Sequence, residues 1–284
     1  MKVIKYFFES LFIYTFLIIG RLLGLSISRR IFSFIFKKIG PLIRSKKIIN
    51  KNFKNFSKKI TEDEKNKIIS SMWANYGMTF IEYIFLDKFR KKNQFVKVDG
   101  DEIIKSIIEN KKQVIFVSGH FANFELISME LTKRKINLAT LYRPLNNFFL
   151  NPLMEYLREK YVCRSQFKKG LGGVKESIVY LKKGYSIGLM IDQRVTEGEK
   201  IKFFNDYAFT TTLPAQLSLK FNIDIVPVFI ERVENERFRI KFYDPIKTNN
   251  SESKTQITRK LNKFLEDMII KNPYQWIWTH NRWK

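Results

Sequence analysis

The rhythm of apolar and polar positions changes along the chain. From Tyr6 to Ser28 the residues are apolar almost without interruption, broken by Glu9 and Arg21, with an uncharged run of 11 residues between those two. A helix that crosses a bilayer needs about 20 mostly apolar residues. A span over 6–28 is therefore long enough only with Glu9 and Arg21 at the two interfaces, and a shallow amphipathic anchor fits the same pattern. A break falls at Gly40-Pro41, and 46–59 reads as a basic, polar connector. Thr61-Glu-Asp-Glu64 has the form of a capping box, with Thr61 as N-cap and Glu64 reaching back. The helix it starts is expected to run to about residue 86, with Ile68, Met72, Tyr76, Thr79, Phe80 and Tyr83 at helical spacing.

Beyond residue 110 short apolar runs alternate with amphipathic stretches. The segments 113–118 (QVIFVS), 138–142, 186–191 (SIGLMI) and 224–230 (DIVPVFI) predict buried strands. Between them, 121–133, 151–161, 173–183 and 213–221 predict helices. This alternation is the signature of an α/β fold, a mostly parallel central sheet flanked by helices. Residues 237–243 (RFRIKFY) alternate charged and apolar like an edge strand with one wet face, and 254–271 predicts a last amphipathic helix.

The segment richest in chemistry is Val114-Ile-Phe-Val-Ser-Gly-His-Phe-Ala-Asn-Phe-Glu125. An apolar strand ends at Ser118-Gly119, and a helix is expected to begin near His120. In open α/β sheets ligands bind beyond the carboxyl ends of the strands, where helix N-termini also point. His120 is placed there and is one of two histidines, the other being His280. Glu125 lies five residues on. At about 100° per residue, i and i+5 sit on different helix faces, so the two meet only if His120 stands in the turn before the helix. Gly119 allows the tight backbone that this needs. A carboxylate on one imidazole nitrogen fixes the tautomer and leaves the other nitrogen free to take a proton from an alcohol. His capping a helix, with Glu125 merely on the surface, is the plainer account of this spacing.

Charge narrows the partners. The net charge is +25, from 52 basic and 27 acidic residues. Residues 1–60 carry about half of that surplus, with fourteen Lys and Arg against the single acid Glu9. A basic segment beside the most apolar stretch favours an anionic membrane surface over nucleic acid. The basic run from Arg29 to Lys59 places that flank in the cytoplasm by the positive-inside rule. Without a small-residue cleavage site, the N-terminus reads as an anchor and not a secretory signal. With 27 Phe, some aromatics are expected to face lipid or a lipid-binding groove. Cys163 is the only cysteine, which allows no intramolecular disulfide and no cysteine-based zinc site.

Several blocks together resemble the lipid A biosynthesis acyltransferases, the lauroyl/myristoyl late acyltransferases. Gly119-His-Phe-Ala-Asn-Phe-Glu125 resembles their GHxGNWE-type motif, and Tyr142-Arg143-Pro144 with Asn146 and Asn147 resembles their YRP-x-x-N block. Gly188-Leu-Met-Ile-Asp192-Gln193, Thr210-Thr-Thr-Leu-Pro214 and the Trp-containing end Pro273-Tyr-Gln-Trp-Ile-Trp-Thr-His-Asn-Arg-Trp-Lys284 are similar to three further blocks, and Trp73-Ala-Asn-Tyr-Gly77 fits the first long helix. The resemblance runs in order from about residue 70 to the end, and the N-terminal anchor matches in kind. Ala122 stands in place of the motif's Gly, Phe124 in place of its Trp, and Arg194 follows Asp192-Gln193 where an acidic residue is usual.

The resemblance implies two parts, 1–45 as N-terminal membrane anchor and basic connector and 46–284 as acyltransferase domain, at the cytoplasmic face of an inner membrane. It implies an acyl-carrier-protein thioester as donor and a hydroxyl on a lipid A precursor as acceptor, with acyl-CoA as the other possible donor. No cofactor and no metal are expected. The partners expected are acyl carrier protein, the lipid A precursor and anionic membrane lipids, with no nucleic acid. His120 is the expected general base and Glu125 its orienter. Arg143 is expected at the oxyanion or at an acceptor phosphate. Asp192 supports His120 or Arg143, and Asn123 and Gly119 hold the turn. An acyltransferase for another glycolipid or a lysophospholipid, and a non-catalytic basic protein that binds membranes or nucleic acid, are the alternatives.

Overall fold

The computed structural model describes residues 2–57, 59–234, 237–248 and 251–284. Its centre is a seven-stranded sheet of β1 (Val96–Asp99), β2 (Ile115–Ser118), β3 (Leu138–Tyr142), β4 (Ser165–Lys168), β5 (Ser186–Met190), β8 (Ile225–Arg232) and β9 (Phe238–Phe242). In space the order is β1-β9-β8-β2-β5-β3-β4, and every neighbouring pair is parallel except β8 and β9. Strand β2 is buried at every residue, as a parallel strand covered on both faces must be. A separate antiparallel hairpin joins β6 (Glu199–Phe203) to β7 (Asp206–Thr210).

Helices α4 (Glu62–Glu82), α7 (Glu125–Lys133), α8 (Asn151–Tyr161), α9 (Leu171–Lys182), α10 (Leu213–Phe221) and α11 (Lys254–Lys271) match the predicted helices to within a few residues. The Thr61–Glu64 capping box is closed in both directions, and a second one, Ser253 with Gln256, opens α11. Strands β1 and β4, the β6–β7 hairpin and helix α6 (Asp101–Glu109) were not predicted.

The N-terminal part differs most from expectation. Helix α1 (Lys2–Leu23) is continuous through Glu9 and has Arg21 in its last turn. It lies against the body along its length. Asn147 Nδ2 donates to the Tyr6 carbonyl, the Tyr14 hydroxyl to the Phe149 carbonyl, and Arg21 to both Asp87 and the Ile84 carbonyl. The outward stripe Ile4, Phe8, Leu11, Ile18 and Leu22 is exposed. Helix α2 (Leu25–Ile43) continues through the expected break at Gly40-Pro41. It packs closely on α4 because Gly77 admits the Phe32 carbonyl and Gly40 admits the Trp73 ring. The expected connector at 46–59 is largely helix α3 (Lys46–Phe56), with Ile49 and Phe53 buried; its Lys58 lies outside the described residues. The lysines of that segment hid a helix whose apolar face docks on the C-terminus, where Phe53 stacks on Trp278 at 4.2 Å.

Candidate active site

Register brings the site together. In the parallel pairing of β2 with β5, Ser118 lies opposite Met190. The Ile191 N–H donates to the Ser118 carbonyl at 2.9 Å and extends the ladder past the strand ends. Two residues beyond the Ser118–Met190 pair, His120 and Asp192 therefore stand side by side at the carboxyl end of the sheet. Arg143 follows β3, the neighbour of β5, at the same end of the sheet.

The carboxylate of Asp192 holds His120 at two points. Its Oδ1 lies 2.7 Å from His120 Nδ1, and its Oδ2 accepts the His120 backbone N–H at 2.8 Å. Oδ2 also accepts the Trp276 indole N–H at 2.9 Å. Burial by itself would raise this carboxyl, but His120 and its hydrogen bonds, joined by Trp276, bring it down to about 2. Asp192 is thus ionised, and an ionised acceptor on Nδ1 places the ring proton there. Nε2 is not taken up by Asp192, and the Gln193 amide lies 3.5 Å from it, too far for a strong hydrogen bond. The Phe124 ring covers one side of the imidazole at 4.6 Å. Two surface depressions of about 400 and 450 Å³ lie elsewhere, along α4 at Asp63–Ser71 and between Phe56, Phe204 and Tyr274, and neither includes His120.

Glu125 is not brought to His120. The turn is longer than expected, so α7 starts at Glu125 itself and His120 stands five residues before it. Glu125 Oε1 accepts the Tyr83 hydroxyl at 2.6 Å and Arg158 Nε at 2.7 Å. A guanidinium and a phenol hold this buried carboxylate between α7 and α8, and Asp192 occupies the place on the imidazole that the spacing had suggested for Glu125.

The other expected residues have specific partners. Gly119 has no positive φ; space is what requires it. A Cβ there would stand 2.8 Å from the Phe121 ring and 3.3 Å from the Asp192 Cβ. The left-handed residue of the turn is Ala122, at φ 43°. Its N–H donates to the Gln275 carbonyl and its carbonyl accepts from Thr79, so the turn is over-determined. An L-residue in this region costs about 1–2 kcal/mol, so Ala122→Gly is expected to raise stability by about 1 kcal/mol in urea denaturation. A loss of stability would mean that the turn is not held in this conformation. Asn123 donates from Nδ2 to Glu82 Oε2 at 2.9 Å. Glu82 is fully buried and also accepts from Arg29 and Arg232, each at 2.6 Å, which ties the turn to α2, α4 and β8.

Arg143 is exposed beside Lys169. The Lys169 ammonium is held below the ordinary lysine range by partial loss of solvent and by Arg143, against the opposite pull of Glu197 and Asp192. These two cations give the sheet end a positive rim. Lys169 was not among the expected residues; the pair Lys168-Lys169 before Gly170 was its only trace in the sequence.

His280 also belongs to this region. Its Nε2 accepts the Arg194 N–H at 2.9 Å and so holds the turn after Asp192-Gln193. Burial pushes its pKa down to about 4, with Asp192 pulling upward and His120, Arg282 and Lys169 adding to the fall. The unfolded chain takes up this proton near the ordinary histidine value of 6.5 and the folded one near 4. The stability tied to neutral His280 is therefore complete above about pH 6.5 and is lost as the pH falls toward 4. The loss amounts to roughly 2–3 kcal/mol after allowance for partial exposure. His280→Gln should flatten that part of the curve when unfolding is followed from pH 7 to pH 4. An unchanged slope would place the titration elsewhere.

The sequence model of the bacterial lipid A biosynthesis acyltransferases matches this chain over residues 1–284. The chain belongs to that family. Its curated relatives include the lipid A biosynthesis palmitoleoyltransferase of Escherichia coli (strain K12), 25% identical over 254 residues, which are 86% of this chain and 80% of that protein. The lipid A biosynthesis lauroyltransferase of the same strain is 24% identical over 253 residues, 85% of this chain and 79% of that one. The lipid A biosynthesis acyltransferase of Shigella flexneri matches at 25% over 254 residues. This lipid A acyltransferase is thus an enzyme of acyl transfer in lipid A biosynthesis. Its family and the exposed apolar stripe of α1 indicate membrane association; α1 alone among the described helices has the length and hydropathy of a span.

Proposed function

We propose that this acyltransferase moves a fatty acyl group from an acyl-carrier-protein thioester to a hydroxyl of a lipid A precursor, with His120 as general base and Asp192 as its orienter. The observation that carries the reading is the 2.7 Å contact between Asp192 Oδ1 and His120 Nδ1, which leaves Nε2 open at the end of a parallel sheet. Nε2 takes the proton of the acceptor hydroxyl as its oxygen attacks the thioester carbonyl. The tetrahedral intermediate collapses, the carbon–sulfur bond breaks, and the imidazolium returns the proton to the departing thiolate. The products are an ester and the free carrier thiol. Asp192 favours the imidazolium in between.

Arg143 and Lys169 supply positive charge either to the oxyanion or to a phosphate of the acceptor. The net charge of +25 suits both an acidic carrier protein and anionic lipid, and a charge-steered encounter with the carrier weakens as salt is raised. The exposed apolar face of α1 and the basic residues of α2 and α3 meet the cytoplasmic face of the inner membrane in this reading. Purified enzyme is to be offered carrier-linked and CoA-linked acyl groups, with a lipid A precursor or a lysophospholipid as acceptor, and the products weighed by mass spectrometry. The expected result is one added acyl group on the lipid A precursor from the carrier-linked donor. Acylation of the lysophospholipid alone, or transfer from CoA alone, would overturn the assignment of acceptor or donor.

A further inference from the structure

The Trp-containing end of the chain is used for more than packing. Residues 273–284 lie across the carboxyl end of the sheet and touch both halves of the site. On one side the Gln275 carbonyl accepts the Ala122 N–H at 3.1 Å, and Phe121 pairs with Trp276 as an isolated antiparallel bridge. On the other side the Trp276 indole N–H meets Asp192 Oδ2 at 2.9 Å. The strap is itself firmly held. Asn52 of α3 donates to the carbonyls of Trp278 and His280, each at 2.7 Å, and Arg282 donates to the Phe209 carbonyl and the Thr210 hydroxyl, each at 2.7 Å.

We propose that Trp276 is a positioning residue for acyl transfer, whose indole N–H fixes the Asp192 carboxylate in the plane that presents Oδ1 to His120 Nδ1. This rests on the reading of His120 as the base. A carboxylate can rotate about its terminal bond, and rotation here would carry Oδ1 off the imidazole. Two donors, the His120 backbone N–H and the Trp276 indole N–H, converge on Oδ2 and oppose that rotation. The backbone donor alone cannot do so independently, because it moves with the same turn that carries the imidazole. Trp276 belongs to a different segment and is buried against Phe203 and Trp278, so it supplies the fixed reference. An indole suits this place because it donates and has no accepting atom that could compete with the carboxylate. The same strap sets the His120 turn through Gln275, so both ends of the His120–Asp192 contact are referred to one rigid piece.

Removing the N–H has a second effect. Once the carboxylate turns, Oδ1 leaves Nδ1 and less of its negative charge falls on the imidazole. An opposite charge favours the protonated ring less as it moves away, so the acidic limb of kcat/KM moves to lower pH. The other groups that face this carboxylate and its histidine are His280, Lys169 and Arg282, and the substitution leaves them in place.

The test compares kcat, KM and pH profiles of the full-length enzyme with those of Trp276→Phe and of a chain carrying 3-benzothienylalanine at 276. The latter keeps the tryptophan shape and replaces N–H by sulfur, so folding is preserved even if Phe leaves a cavity. A lost hydrogen bond to a charged group predicts a fall in kcat of about tenfold or more in both variants. KM should stay within about twofold, and the acidic limb should move to lower pH. The proposal is overturned if the benzothienyl enzyme keeps the wild-type kcat and limb, or if kcat falls with the limb unmoved or moved to higher pH. His120→Ala in the same series separates the two claims, since undiminished turnover by that variant would defeat the general-base reading itself.

Discussion

Asp192→Asn is expected to lower kcat by about 10²–10⁴-fold with little change in KM. The geometry makes this variant harsher than its size suggests. Asp192 Oδ2 accepts two N–H donors, from the His120 backbone and from Trp276, while Oδ1 meets Nδ1. An asparagine cannot present its NH₂ to two donors, so it turns its carbonyl toward them. Its NH₂ then faces Nδ1 and donates to it. The ring proton moves to Nε2, and the nitrogen that should accept from the acceptor hydroxyl now carries a proton. The chain folds, the substrates bind, and the base is in the wrong tautomer. Glu125→Gln is the matched control. It weakens the Tyr83–Glu125–Arg158 cluster, so it should lower the melting temperature while leaving turnover within about tenfold, a loss well below general-base catalysis.

His120→Ala is expected to reduce kcat by roughly 10³–10⁴-fold, leaving the residual rate that positioning and charge alone supply. The His120 side chain is 18% exposed and packs on the Phe124 ring without supporting the sheet, so circular dichroism and sedimentation with membranes should be unchanged. Single-turnover assays with a carrier-linked donor measure the loss directly. A variant that retained more than a tenth of the wild-type rate would remove His120 from the chemistry.

The sheet was legible because its buried strands are short apolar runs bounded by polar residues. Strands such as β2 and β8 bury both faces and leave that trace. The edge strands β1 and β4 bury little and are mixed in sequence, so nothing in their composition set them apart. Helix α3 was obscured by its lysines, since a helix with a narrow apolar face reads as a solvated connector until the surface it packs on is known. At the site, His120 stood out as one of two histidines next to a strand end. Asp192 was expected to support His120 or Arg143, and only the β2–β5 register, which brings together residues 72 positions apart, decides that it is the partner of His120 in place of Glu125. Sequence spacing favoured Glu125, the nearer carboxylate, whereas the parallel ladder brought Asp192. Trp276 and His280 lay in a motif already noticed, but their function depends on the path of the last twelve residues across the site. Nothing in the sequence marked Glu82, whose three partners come from α2, β8 and the His120 turn.

The central claim, that Asp192 and not Glu125 holds the His120 proton on Nδ1, is tested most directly by ¹⁵N–¹H spectra of the imidazole groups, with His120→Ala and His280→Gln assigning the two histidines. A downfield Nδ1–H resonance from His120 should be present in the wild type and in Glu125→Gln, and absent in Asp192→Asn. A resonance that survives in Asp192→Asn and vanishes in Glu125→Gln would contradict the account.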